Sequence, residues 1–279
     1  MDLHTIGLIY NPHVEASRIL GEEIQAWLMA HGMGSWLCAG QENVPIYDHE
    51  RADLFITLGG DGTILRAMQS AAPSGVPVFG INLGRVGFLT ELSPEAWEEG
   101  LTRVLAGQGW IETRMMLRVT LLREAVTIAQ EDALNDAVIS RGALARTMRL
   151  ETHVDGAFLT RYVADGLILA TATGSTAYAY ASGGPILPPW IANFLLTPAA
   201  PHLSLERPLV LDADAVVTVK VDTGMPGMLT VDGRMEGELL HDDVVRVGRS
   251  PLKATFLRLR SRNDFYRTLV ERLSPRHGE

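Results

Sequence analysis

Cysteine occurs once in the 279 residues, which excludes an intrachain disulfide and leaves too few thiolates for a structural zinc site. Cys38 lies in the apolar run Trp36-Leu37-Cys38-Ala39 and reads as core filler rather than a nucleophile. No apolar run approaches the roughly 20 residues of a membrane span. The opening MDLHTIGLIYN has neither a basic start nor a cleavable apolar stretch, so a cytoplasmic protein without a membrane partner is expected. Basic charge is also short: 24 Lys and Arg stand against 33 Asp and Glu, a net charge of −9. Nucleic-acid binders usually present a basic face, so no nucleic-acid partner is expected. A phosphorylated small molecule stays open, because backbone amides and a few arginines can hold phosphate on an acidic protein. There is no GxxxxGKS/T, no GxGxxG after the first strand, and no HxxxH or HExxH among the eight histidines. His202 reads as structural. Internal repeats and low-complexity segments are missing too.

What is present falls into two parts. In the first hundred residues strand and helix alternate: Thr5 to Tyr10 as a buried strand, a helix over Ala16 to Ala30, strands at Ser35 to Ala39 and Leu54 to Leu58, a helix from Asp61 to Ala71, and a strand over Val76 to Ile81. This rhythm predicts an α/β domain with an open, mostly parallel sheet and ligands at the strands' C-terminal ends. Ser93-Pro94-Glu95 then opens a helix to about Ala106. From Trp110 the pattern turns to period-two and β-branched segments, which predicts a β-rich domain of antiparallel strands with a single helix, Gly174 to about Ser182. The domains expected are 1–109, 110–260 and a C-terminal helical tail, 261–279, packing back on the first.

The sequence is organised around Leu54 to Thr63, LFITLGGDGT. A strand opens into Gly59, Gly60, Asp61, Gly62 and Thr63 and then into a helix. Three glycines in four positions let backbone approach a ligand closely, and amides at a helix start favour an anion. That geometry suits phosphate. A carboxylate among anion-binding amides is out of place unless it meets a metal or takes a proton; a turn with Asp61 as a helix cap is the plainer alternative.

Five further stretches could carry chemistry. Gly80 to Leu89, GINLGRVGFL, is a glycine-rich strand exit or a structural loop. Asn135-Asp136 interrupts an apolar strand, which suits a bulge or paired contacts to ribose hydroxyls. Asp165 precedes the strand of DGLILATATGSTAY, whose turn at Gly174 to Tyr178 could hold an anion or a base edge, although capping alone would account for Ser175 and Thr176. Gly183-Gly184-Pro185 stops a helix. Val231-Asp232-Gly233-Arg234 is most simply a hairpin turn.

In order and spacing, GGDGT, GINLGRVGFLTEL, LNDAVISRG, DGLILATATGSTAYAYASGGPIL and TPAAPHLSLERPLVL resemble the NAD kinase family over about Ile6 to Leu273. The resemblance implies transfer of a phosphoryl group from ATP, or from polyphosphate in some members, to the 2′-hydroxyl of the adenosine ribose of NAD. It makes Asp61 the general base and Gly59, Gly60, Gly62 and Thr63 the phosphate loop. Arg66, Phe88, Asn135, Asp136, Arg146, Asp165, Thr176, Ala177 and Tyr178 fall at NAD-contacting positions. Magnesium would arrive with ATP, with no resident metal and no tightly bound cofactor. Members are typically homodimers or homotetramers sharing the NAD site between chains, so a homo-oligomer is expected.

This chain departs from the family pattern in places. Ala170 and Ala172 replace a serine and a proline, Ala181 stands where a serine bonds the adenine edge, and Arg234 stands where glutamine is frequent. Val163 replaces an arginine of some members. A lipid kinase sharing GGDGT, or a nucleotide sensor without catalysis, are the rival classes.

Overall fold

The computed structural model describes residues 2–40, 52–84, 87–142, 147–202 and 205–273. They form two compact units: one holds the residues up to Thr113 and those from Ala254 onward, the other Arg114 to Lys253.

The first unit contains β1 (Thr5–Tyr10), α1 (Glu15–Ala30), β2 (Gly34–Ala39), β3 (Leu54–Leu58), α2 (Asp61–Ser74), β4 (Val78–Ile81) and α3 (Trp97–Leu105). Its strands are parallel in the order β2-β1-β3-β4. Every residue of β3 is buried, which explains an unbroken apolar run where a one-faced strand would alternate. Ile6, Leu8, Leu54, Ile56 and Leu58 pack with Ile24 and Leu28 of α1 in the core. Helix α2 runs three residues beyond the expected Ala71 and stops where Gly75 turns left-handed at φ 69°. Burial pushes the Cys38 thiol up to about 11, so it stays protonated and inert at neutral pH.

The second unit is built from β5 (Trp110–Arg123), β6 (Val126–Ala133), β7 (Asp136–Arg141), β8 (Met148–Val154), β9 (Ala157–Ala164), β10 (Gly166–Thr171), the single-turn α4 (Tyr178–Ala181), β11 (Phe194–Ala199), β12 (Leu209–Leu211), β13 (Val217–Asp222), β14 (Gly227–Val231), β15 (Arg234–Leu239) and β16 (Val244–Arg258). An antiparallel sheet runs β12-β11-β10-β7-β14-β15. A second antiparallel ladder joins β16, β13, β8 and β9, and β5 pairs with β6 as a hairpin. Leu117, Leu150, Tyr162, Leu169, Leu196 and Val219 are among its fully buried core residues. The division falls at 113/114 and 253/254 rather than at 109/110 and 260/261, because the last residues of β16 belong with the first unit. There Phe256 pairs with Val78 of β4, and α5 (Asp264–Leu273) follows.

The class of fold is as expected, an α/β unit and an antiparallel β unit, but several elements differ in detail. Strand β6 has its large apolar residues, Val126 and Ile128, exposed, so no apolar face of it marks a buried strand. Strand β11 carries Pro198, which lies beyond the three residues of β11 that pair with β12; a proline is tolerated where no neighbour needs its N–H. The expected helix from Gly174 to Ser182 is broken: a 3-10 turn covers Gly174–Thr176, Ala177 leaves helical space at ψ −127°, and only Tyr178–Ala181 is α-helical.

Candidate active site

In the first unit, β3 ends at Leu58 and Gly59 takes φ 155°, with Thr63 so close that a Cβ would stand 2.3 Å from its hydroxyl oxygen. Gly59 is therefore required by the protein itself. Gly60 and Gly62 are not: a Cβ on either meets nothing within 4 Å. Glycine at those two positions keeps the approach to the loop open. Thr63 is buried, and Arg66 lies half-buried on α2.

Asp61 is the first residue of α2, yet Gly60 is the cap position and no side chain caps the helix. The Asp61 carboxylate instead accepts the backbone N–H of Phe88 at 2.9 Å and of Leu89 at 3.1 Å. This removes the plain helix-cap reading and fixes both carboxylate oxygens from the loop after β4. Gly87 makes room for it, since a Cβ there would stand 1.8 Å from Asp61 Oδ1. Phe88 packs its ring 6.5 Å from that of Phe265 on α5, with the Arg272 guanidinium over it.

Behind this loop lies a buried cluster that the sequence did not point to. Arg258 Nη1 donates to the Leu89 carbonyl at 2.7 Å and to Glu91 Oε2 at 3.2 Å, and its Nε donates to Glu112 Oε2 at 2.8 Å. All three charged residues are at most 6% exposed. Leu89 thus links Asp61 on its amide side to Arg258 on its carbonyl side.

In the second unit, Asn135 and Asp136 stand at the entry of β7. The Asp232 carboxylate accepts three successive amides, those of Leu134 at 2.8 Å, Asn135 at 2.7 Å and Asp136 at 3.1 Å. Asp232 and Gly233 both have positive φ, 49° and 79°, and form the two-residue turn that joins β14 to β15. The expected hairpin is there, but its aspartate also organises a distant strand. Burial and then the Asp232 charge push the Asp136 carboxyl up to about 7. Burial likewise raises Asp232 to about 6, against the lowering by the three amides and Arg234. The turn at Gly174 sits directly on Asn135, for a Cβ on Gly174 would stand 2.1 Å from the Asn135 carbonyl oxygen. Ser175 is spent internally, donating to the Ala172 carbonyl and accepting from Leu187. Thr176 and Ala177 are half-buried, whereas Tyr178 and Ala181 are exposed.

Asp165 is not brought to this group. It precedes β10, where Gly166 pairs with Ser140, while Ala170 at the far end pairs with Asp136. At about 3.4 Å per residue the separation is about 20 Å. Its carboxylate is ion-paired with Arg141 at 2.9 Å. Arg146 lies outside the described residues. Among the described residues, no three His, Cys, Asp or Glu gather as a metal site, and no helix is long and apolar enough to cross a membrane.

The first unit is thus a parallel α/β unit whose central strand opens into a glycine loop with an amide-held carboxylate, a geometry that suits phosphate, and the second is an antiparallel β unit with its own polar cluster. A model of the ATP-NAD kinase N-terminal domain matches residues 39–109, and one of the ATP-NAD kinase C-terminal domain matches residues 134–259. The NAD kinase of Chloroflexus aggregans is 41% identical over 275 residues, covering 97% of this chain and 99% of the relative. That of Symbiobacterium thermophilum is 48% identical over 225 residues, 80% of this chain and 78% of the relative. Among solved structures, yeast NADH kinase complexed with NADH matches with a TM-score of 0.88 at 26% identity, covering 100% of this chain and 90% of that one. The NAD kinase of Archaeoglobus fulgidus in complex with ATP matches with a TM-score of 0.75 at 28% identity, covering 96% and 97%. The chain belongs to the NAD kinase family.

Proposed function

We propose that Asp61 is the general base in the phosphorylation of NAD to NADP. The observation that carries this is the Asp61 carboxylate held by the Phe88 and Leu89 amides beside a loop whose Gly60 and Gly62 stay open. In this reading Asp61 takes the proton of the ribose 2′-hydroxyl as its oxygen bonds to the terminal phosphorus of ATP. The bond from that phosphorus to the bridging oxygen breaks, and its electron pair leaves with ADP. The loop amides and the start of α2 hold phosphate, with magnesium carried in as part of the ATP substrate. Polyphosphate is the alternative donor. Asn135 and Asp136 hold ribose hydroxyls, Thr176, Ala177 and Tyr178 line the adenine, Phe88 walls the pocket and Arg66 faces phosphate. Ala181 lacks the hydroxyl that would bond the adenine edge, and Arg146 is a further NAD contact.

Asp165, about 20 Å along β10 from Asn135, fits a site shared between chains in which a second copy supplies the acid near the nicotinamide. This favours a homo-oligomer, a tetramer or dimer that buries sheet edges, in a cytoplasmic setting. Light scattering on active protein at micromolar concentration should give two or four times the chain mass; a fully active monomer contradicts the shared site.

The function is tested by offering NAD and a diacylglycerol together with labelled ATP, and in parallel with polyphosphate. Label should appear in NADP. Label in the lipid, or in neither acceptor, overturns the assignment. Gly87→Ala is expected to fold but to lose about 10²-fold in turnover, because the added methyl must displace the Asp61 carboxylate and small misplacements at a reacting group are costly. Turnover within a few-fold of the unaltered enzyme would show that the carboxylate position is not critical.

A further inference from the structure

We infer that Asp232 is a positioning residue for NAD binding: by accepting three consecutive amides it sets the strand entry from which Asn135 and Asp136 present their side chains. The inference rests on the reading above that Asn135 and Asp136 hold NAD. Three successive N–H groups converging on one carboxylate cannot be met by ordinary strand pairing, which turns alternate amides to opposite sides. The bonds run in both directions, since the Asp232 amide donates back to the Asp136 carbonyl at 2.9 Å. The same entry is closed from its other side by Thr171, whose amide donates to the Asn135 carbonyl at 2.8 Å and whose hydroxyl donates to that of Leu134. Asn135 and Asp136 are therefore clamped between the β14–β15 turn and the end of β10.

The clamp also places two carboxylates together. Asp136 is 7% exposed, and Asp232 is the charge that faces it. Among the described residues, the charged groups near the pair include Arg234 and Glu236 on β15 and Glu131 on β6, with Arg234 3.1 Å from Glu236 and 3.5 Å from Glu131. On β5, Arg114 Nη1 lies 3.5 Å from the Thr173 hydroxyl. Three carboxylates, those of Asp232, Glu236 and Glu131, thus gather about Arg234, and ionising Asp136 works against Asp232. A ribose hydroxyl donates best to an ionised Asp136, so NAD affinity should rise with pH across the range near 7. Asp232→Asn changes two things at once. It turns an amide group toward one of the three N–H donors, loosening the strand entry, and it removes the neighbouring charge, easing ionisation of Asp136.

The test is calorimetric titration of NAD into the full chain across pH 5.5 to 8.5, for the unaltered protein, Asn135→Ala, Asp232→Asn and Asp232→Glu. At the alkaline end Asp232→Asn should bind NAD about tenfold more weakly, and the midpoint of its pH dependence should move to lower pH. Asp232→Glu keeps the charge but displaces the oxygens, so its affinity should fall while its midpoint stays. A merely structural residue would not move the midpoint. If Asn135→Ala binds weakly but both Asp232 variants bind like the unaltered protein, or if the Asp232→Asn midpoint does not move, the positioning role is overturned. Should Asp232→Asn fail to fold, Asp232→Glu decides by its affinity. If Asn135→Ala itself binds NAD normally, it is the reading of the Asn135–Asp136 pair that fails, and the inference falls with it.

Discussion

Asp61→Asn should lower NADP formation by about 10²–10⁴-fold while leaving NAD binding intact, because general-base catalysis contributes on that scale. The amide keeps the size and the planar shape of the carboxylate. It has one acceptor oxygen where the carboxylate has two, so one of the Phe88 and Leu89 amides loses its partner. What the variant cannot do is take the proton of a ribose hydroxyl, a poor nucleophile at neutral pH. Turnover at saturating NAD and ATP, set beside a calorimetric dissociation constant, separates the two effects. An Asp61→Asn protein that fails to bind NAD, or that turns over within a few-fold of the unaltered enzyme, would make Asp61 a ligand-positioning residue and not the base.

The largest stability effect should come from Arg258. Arg258→Met removes a guanidinium that is bonded to Glu112, Glu91 and the Leu89 carbonyl and stacked 4.5 Å from the Phe256 ring centre. Two buried carboxylates then each lose the guanidinium bonded to them. Breaking a buried pair from one side costs about 3–5 kcal/mol, which for a chain of this size lowers the melting temperature by about 10 °C. Replacing Glu91 and Glu112 by glutamine in the same protein should return part of the loss, since the two charges that the guanidinium offset go with them. Scanning calorimetry of the single and triple variants measures both. A fall of under 2 °C in the single variant would mean that water reaches the carboxylates. Activity should fall as well, because Leu89 carries the Arg258 bond on its carbonyl and the Asp61 bond on its amide.

The parts of this site that could be read from sequence are those whose signal is local. Leu54 to Thr63 is legible because a buried strand, a glycine turn and a helix start follow one another without interruption. Asn135-Asp136 is legible because two polar residues break an apolar strand. Asp232 was recognised only as a hairpin residue: the amides it holds lie nearly a hundred positions earlier, and no spacing rule joins them. Arg258, Glu91 and Glu112 are three ordinary charged residues until the fold brings them together, and only their burial marks them. A single strand, β16, runs from Val244 to Arg258 straight through Pro251, which local propensity does not favour. The helix expected from Gly174 failed for another reason. A Cβ on Gly174 would meet the Asn135 backbone, so tertiary contact, not local propensity, sets the turn there.

Because the first unit is assembled from residues on both sides of the second, the ribosome makes its pieces out of order. Arg114 to Lys253 emerge as one uninterrupted stretch and can close their sheets while the chain is still growing. The earlier residues cannot finish. Until Ala254 and its successors appear, β4 lacks the strand segment that pairs Phe256 with Val78, and Arg258 is not yet there to bond Glu91 and Glu112. A chain cut shortly before Ala254 would therefore hold a completed β unit and an α/β unit with an open edge at β4. An exposed strand edge of that kind is prone to mispairing, so residues from Ala254 onward are the part of the chain whose arrival ends that exposure.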